Sequence, residues 1–224
     1  MTTVTPNRAN ENYFDGIVIG FCLSLLGGFL DSYSFLLKGG VFANAQTGNL
    51  VLLFISIAHG KFNRCFEYVI PVVTFTIGIF LSELLRNKLS QKNRSQLALF
   101  IEFLLIIFIA LSGNRFSNYL DNCIISFIAA IQVANFDKVD GNPIATTMIT
   151  GNLKSSMIQF SKFFQMKEKK YLHAFAKYWI IIIAFGFGVL IGCLTIKIYA
   201  EKSILFCIFL LIITFFLMKK KKRE

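Results

Sequence analysis

Apolar residues in this chain come in long blocks, and the polar residues that interrupt them do so at two matching places. Runs of 16 to 23 residues are almost free of charge, and each is long enough to cross roughly 30 Å of hydrocarbon as a helix. Full spans are expected at about 15–37, 68–85, 97–111, 119–137, 178–194 and 203–218. Two shorter segments, about 47–58 and 150–164, differ in kind. The apolar part of the first, Leu50 to Ala58, is too short to cross a bilayer. The second carries Lys154, Ser155, Ser156, Gln159 and Lys162, which no ordinary lipid-facing span would hold. The pattern predicts an all-α polytopic membrane protein with six full transmembrane helices and two short broken or re-entrant ones.

The two short segments share a sequence. Phe42-Ala43-Asn44-Ala45-Gln46-Thr47-Gly48-Asn49-Leu50 is matched 103 residues later by Ala145-Thr146-Thr147-Met148-Ile149-Thr150-Gly151-Asn152-Leu153. In both copies Thr-Gly-Asn-Leu follows a break containing Gly, Asn or Pro. Tyr178, Phe185 and Gly188 echo Tyr68, Phe75 and Gly78 at a constant offset of 110, so the likeness extends beyond the tetrapeptide. The chain divides on this reading into an N-terminal tail (1–14), a first membrane repeat (15–112), a second (113–218) and a basic C-terminal tail (219–224). Two topologies compete. If the short segments cross, eight spans form two parallel halves; if they only dip in, six spans form two inverted halves. The six-span arrangement gathers more Lys and Arg on one side, and the eight-span one strands Arg86, Lys88, Lys92 and Arg94 on the other.

Composition refines this picture in a few places. The 224 residues are 55% hydrophobic and include 26 Phe, and the net charge is +11. That charge lies in the connections and in Lys219-Lys220-Lys221-Lys222-Arg223, which fits topology-setting loops facing anionic lipid and not a nucleic-acid site. The basic C-terminus is accordingly expected in the cytoplasm. The five cysteines are odd in number and lack CxxC or Cys/His spacing, so neither a disulfide framework nor a zinc site is expected. The first apolar run is too long for a signal peptide and is expected to stay as a span. Trp179 and tyrosines near span ends fit an interfacial aromatic belt.

Candidate chemistry centres on the repeated segments. A helix N-terminus offers unpaired N–H groups and the positive end of a dipole. Thr47, Asn49, Thr150 and Asn152 can cap such an end or bind a ligand, and Gly48 and Gly151 let a solute approach the backbone. Asn44, Gln46, Thr146 and Thr147 add polar groups to the same segments. Capping and close packing is the competing structural use. Asp31 lies 16 residues before Thr47, whereas the same offset in the second half gives Ala134, close to Gln132 and Asn135. An intramembrane carboxylate is costly, so Asp31 is a candidate proton acceptor or cation ligand; the alternative is a plain ion pair with Lys38. Glu83 is expected to pair with Arg86, and Glu102 is placed to snorkel. No GxSxG, Walker or Gly-rich nucleotide motif occurs, and no nucleophile–base pair is evident, so an enzyme is not expected.

Two longer stretches carry a family resemblance. Gly27-Gly28-Phe29-Leu30-Asp31-Ser32-Tyr33-Ser34-Phe35 followed by Gly40 to Leu50, and Ala130-Ile131-Gln132-Val133-Ala134 followed by Ala145 to Gly151, closely resemble the double signature of the YoaK family. These are bacterial inner-membrane proteins of unknown function with a permease-like character. Ala130 stands where the family has Gly, and Val133 where it has Asn. The resemblance covers nearly the whole chain from Asp15 onward and implies a membrane localisation without naming a substrate. Together with the paired polar breaks, it leads to the expectation of a secondary transporter for an unidentified small solute or ion. The alternative is a membrane scaffold, assembly or stress-related protein. The bilayer is the expected partner, with a homo-oligomer left open, and no cofactor or metal is expected.

Overall fold

Helix boundaries follow the apolar blocks except where charged but helix-compatible residues prolong them. The computed structural model describes residues 16–113 and 117–220. Its elements are α1 (Ile17–Leu37), α2 (Gln46–Ala58), α3 (Phe62–Arg86), α4 (Gln91–Ser112), α5 (Asn118–Asn135), α6 (Ile149–Met166), α7 (Lys169–Tyr199) and α8 (Leu205–Lys220). A 3-10 turn, Ala200–Ile204, joins the last two. No strand occurs among the described residues, and residues 139 and 142 form a single bridge. The expected tail 1–14 and most of the basic tail 219–224 lie outside the described residues.

α3 begins at Phe62 and α7 at Lys169, ahead of the expected Tyr68 and Tyr178. Arg64, Glu67, Lys170 and Lys177 are unwelcome in hydrocarbon, but they are ordinary helix formers. The helices therefore continue past the apolar part. Among the described residues four stretches are long and apolar enough to cross a membrane: Ile17–Leu37, Phe62–Arg86, Gln91–Ser112 and Lys169–Lys219, the last containing both α7 and α8. α5 falls outside that set because Asp121, Asn122, Gln132 and Asn135 break its hydropathy, and all four are buried against other helices. The chain is a helical integral membrane protein.

α1 packs along α7 while α5 packs along α3. The helix preceding each Thr-Gly-Asn segment thus lies against the long helix that follows the other one. α2 rests on α3 and α6 on α7, while α4 bridges α5 and α8. α1 is innermost, with every residue from Cys22 to Ser34 buried. Its contact with α7 is backbone to backbone. A Cβ on Gly28 would run into the Phe185 carbonyl, one on Gly188 would run into the Leu25 carbonyl, and Ser24 Oγ donates to the Ile181 carbonyl at 2.8 Å. Small residues permit this approach where no water drives helices together. Outward positions are apolar, with Phe54, Phe66, Phe80, Leu111 and Phe216 exposed, as a lipid solvent requires.

Candidate functional site

Gly39 and Gly40 end α1 with φ of +95° and +74°, values that glycine adopts without strain. They turn the chain so that residues 41–45 run back along α1. The Ala43 amide donates to Ser34 Oγ at 3.2 Å and the Asn44 amide to Asp31 Oδ1 at 2.8 Å. Asn44 Nδ2 donates to the Gly27 carbonyl at 2.7 Å, about three turns in from the end of α1. The backbone amides of Ala43 and Ala45 flank the Asp31 carboxyl as well. Asp31 therefore receives the loop that starts α2. No cationic side chain pairs with it among the described residues, so the alternative of an Asp31–Lys38 ion pair does not hold.

A second loop does the same after α5. Asp140 and Gly141 take φ of 45° and 76°, and the chain returns so that Gln132 Nε2 donates to Thr146 Oγ1 at 2.8 Å. The same Nε2 reaches the Leu23 carbonyl of α1 at 3.1 Å, and Ser126 Oγ of α5 donates to the Ala43 carbonyl of the first loop at 3.1 Å. The first loop is thereby tied to both α1 and α5, and the second to α5 through a side chain that also holds α1. The two meet over Gly27, where an added Cβ would press on the Thr147 methyl and also touch the Asn44 amide. Asn44 Oδ1 is buried there with no hydrogen-bond partner.

The asparagines of the two Thr-Gly-Asn motifs do something other than what their position suggests. Asn49 Oδ1 accepts from the Phe42 amide at 3.0 Å while its Nδ2 donates to the Phe42 carbonyl at 2.6 Å. Asn152 makes the same pair with Ala145, at 3.3 and 2.6 Å. Each side-chain amide imitates a strand partner and clasps its own loop seven residues back. Neither caps its helix: the N-cap residues are Ala45 and Met148, without side-chain caps. Gln46 supports the first clasp by donating to the Ala43 carbonyl and accepting from Asn49.

The structure thus gathers Asp31, Asn44, Gln132, Thr146 and Thr147 at the crossing of the two loops, with Asn49, Gln46 and Asn152 as clasps. It does not bring the remaining candidates there. Thr47, Thr150 and Gly151 are exposed at the helix starts, and Gly48 lies under the Phe42 ring.

Buried charged groups elsewhere depart from the reading of the sequence. Lys38 Nζ lies 2.7 Å from both Asp121 Oδ2 and Glu201 Oε2, and Tyr33 Oη donates to Glu201 Oε2 at 2.6 Å. Lys38 and Asp121 are almost fully buried, and Asn122 Nδ2 donates to the Lys38 carbonyl at 2.8 Å. This network pins the end of α1, the start of α5 and the 3-10 turn after α7. Lys38 read as part of a helix break, and no local spacing links it to Asp121 or Glu201. Glu102 departs from the snorkelling expectation: it is fully buried in α4, and neither carboxyl oxygen has a hydrogen-bond partner. Glu83 does pair with Arg86, at 2.9 Å, and Arg86 also reaches Asp137 at 3.3 Å.

With this geometry in hand, comparison with known proteins adds a lineage. Residues 19–217 match the DUF1275 family, described as a protein of unknown function. The chain is also similar to the UPF0700 transmembrane protein YoaK of Bacillus subtilis (strain 168). The two are 28% identical over 180 residues, covering 77% of this chain and 80% of the relative. No solved structure matches.

Proposed function

Since this chain belongs to the DUF1275 family, whose function is unknown, we propose from its geometry that it is a secondary transporter or permease for a small solute. The observation that carries the reading is the convergence of the two loops on Gly27, with Asn44 Oδ1 left buried and without a partner. A polar crossing between two broken helices in the middle of a helical membrane protein is the arrangement by which transporters hold solutes. The crossing offers suitable groups, namely a carboxylate at Asp31, amides at Asn44 and Gln132, and hydroxyls at Thr146 and Thr147. The halves are inverted repeats of three spans each, in a bacterial inner membrane with the C-terminus in the cytoplasm. The loops are closed on one another, and solute enters when they part.

The test is the melting temperature of the purified protein against a library of metabolites and ions, with Asp31→Asn alongside. A ligand that binds only the folded state raises that temperature by mass action. A solute whose effect is lost in Asp31→Asn is the expected result. No effect across the library, with Asp31→Asn as stable as wild type, would overturn the proposal. A second reading, a non-transporting scaffold, is favoured by one observation: Asn49 and Asn152 are used up in clasping their own loops.

A further inference from the structure

We infer that the gap between α3, α4 and α5 is a binding site for an anionic phospholipid. α3 and α4 are joined by a short turn but barely touch beyond it, and a cavity of about 370 Å³ opens between them against α5. That volume lies within the range of roughly 300–1,000 Å³ typical of ligand pockets. Its two ends differ in chemistry. Lys88, Arg94 and Asn135 lie at one level, just past the end of α3, in the first turn of α4 and at the last residue of α5. Leu81, Ile101 and Phe127 line the cavity further in, ~10–15 Å along their helices from that level at 1.5 Å per residue. The cavity is therefore cationic where a headgroup sits and apolar where an acyl chain lies.

The cations are free to act. Arg86 is occupied by Glu83 and Asp137, but among the described residues neither Lys88 nor Arg94 has a carboxylate partner. Arg94 Nε is buried and lacks a hydrogen-bond partner altogether. A guanidinium donor left unsatisfied beside an apolar cleft open to lipid is matched by a phosphate oxygen, to which Arg binds with geometric preference. Basic pockets between membrane helices recognise anionic headgroups by this chemistry. A second cavity, about 240 Å³ between α4 and α8, offers the contrast: Leu99, Phe103, Leu211 and Phe215 line it with no cation, and it carries no such preference.

Purified full-length protein in neutral detergent is titrated with dioleoyl phosphatidylglycerol, dioleoyl phosphatidylcholine or inorganic phosphate. Retained lipid is counted by native mass spectrometry and the melting temperature recorded. Wild type should retain phosphatidylglycerol in preference to phosphatidylcholine and melt higher with it, while inorganic phosphate does neither. The double variant Lys88→Gln, Arg94→Gln should bind phosphatidylglycerol about thirtyfold more weakly, the loss of two surface cation contacts. Ile101→Trp, which keeps both cations and fills the apolar end, should also weaken binding, and Lys154→Gln, exposed on α6, should not. Equal retention of both lipids by wild type would overturn the inference. So would stabilisation by inorganic phosphate alone, or unchanged preference in both cavity variants.

Discussion

The two loops that lead into α2 and α6 are built to one plan and finished with different chemistry. Both are clasped by an asparagine seven residues on, through the same pair of bonds, at Asn49–Phe42 and Asn152–Ala145. Both run back along the helix they follow and meet over Gly27. The first is received by a carboxylate, Asp31, which accepts from the Asn44 backbone amide. The second is received by a neutral amide, Gln132, which donates to the Thr146 hydroxyl. The clasp is thus a requirement of the fold, shared because the half-buried amide and carbonyl of Phe42 and of Ala145 must each find a partner. The receiving group is not so constrained, and there the halves diverge. The halves thus share a frame and differ in having a titratable receiver on one side only.

Substitutions at corresponding positions can break this comparison. The largest difference is expected between Gly188→Ala and Gly78→Ala. The new methyl on Gly188 meets the Leu25 carbonyl of α1, whereas on Gly78 it meets the side chains of Ala130 and Phe127. The Phe127 ring can rotate away, but the Ala130 Cβ moves only with its helix, so α3 and α5 must part slightly and Gly78→Ala should purify folded with a loss of about 1–3 kcal/mol. Gly188→Ala should yield little folded protein by size-exclusion chromatography. Equal behaviour would mean the two interfaces are alike after all. Next come Asn49→Ala and Asn152→Ala, each leaving a half-buried backbone N–H and C=O without their partner. Each should cost ~2–4 kcal/mol by denaturant titration, and the two should match within error. A large gap between them would show that the clasps are not equivalent.

The receivers themselves should differ by less. Asp31→Ala leaves the Asn44 amide without an acceptor, and about 1–3 kcal/mol should be lost. Gln132→Ala strips a donor from the Leu23 carbonyl and the Thr146 hydroxyl, groups that tolerate under-satisfaction better, and should cost about half as much. Smallest of all, Thr47→Val and Thr150→Val, exposed at the helix starts, should stay within about 0.5 kcal/mol of wild type in the same titration.

Much of this architecture was legible in the sequence because hydrocarbon imposes a simple rule on apolar length. α1 and α2 start and stop within two residues of their expected bounds. Asp31 and Gln132 were readable as candidates because polar groups inside apolar blocks stand out, and Asn44, Thr146 and Thr147 because they lie in the repeated segments. What was not legible depended on long-range partners. Whether Asn49 caps a helix or clasps a loop turns on the path of residues 42–45, which Gly39 and Gly40 set. Lys38, Asp121 and Glu201 come from three distant parts of the chain, so no local spacing joins them, and Lys38 was matched with the nearer Asp31 instead. Glu102 looked able to reach water from its place in α4, but packing against α5 and α8 encloses it.

The most direct measurement is the water accessibility of the loop crossing in a functioning membrane. With Cys22, Cys65, Cys123, Cys193 and Cys207 replaced, Thr147→Cys is exposed to a membrane-impermeant thiol reagent from each side of sealed vesicles. His59→Cys, in an exposed turn, and Leu26→Cys, fully buried in α1, set the upper and lower limits. If the loops part to pass a solute, Thr147→Cys reacts from both sides at rates well above Leu26→Cys. Reaction no faster than Leu26→Cys from either side would contradict transport through the crossing and leave a static scaffold.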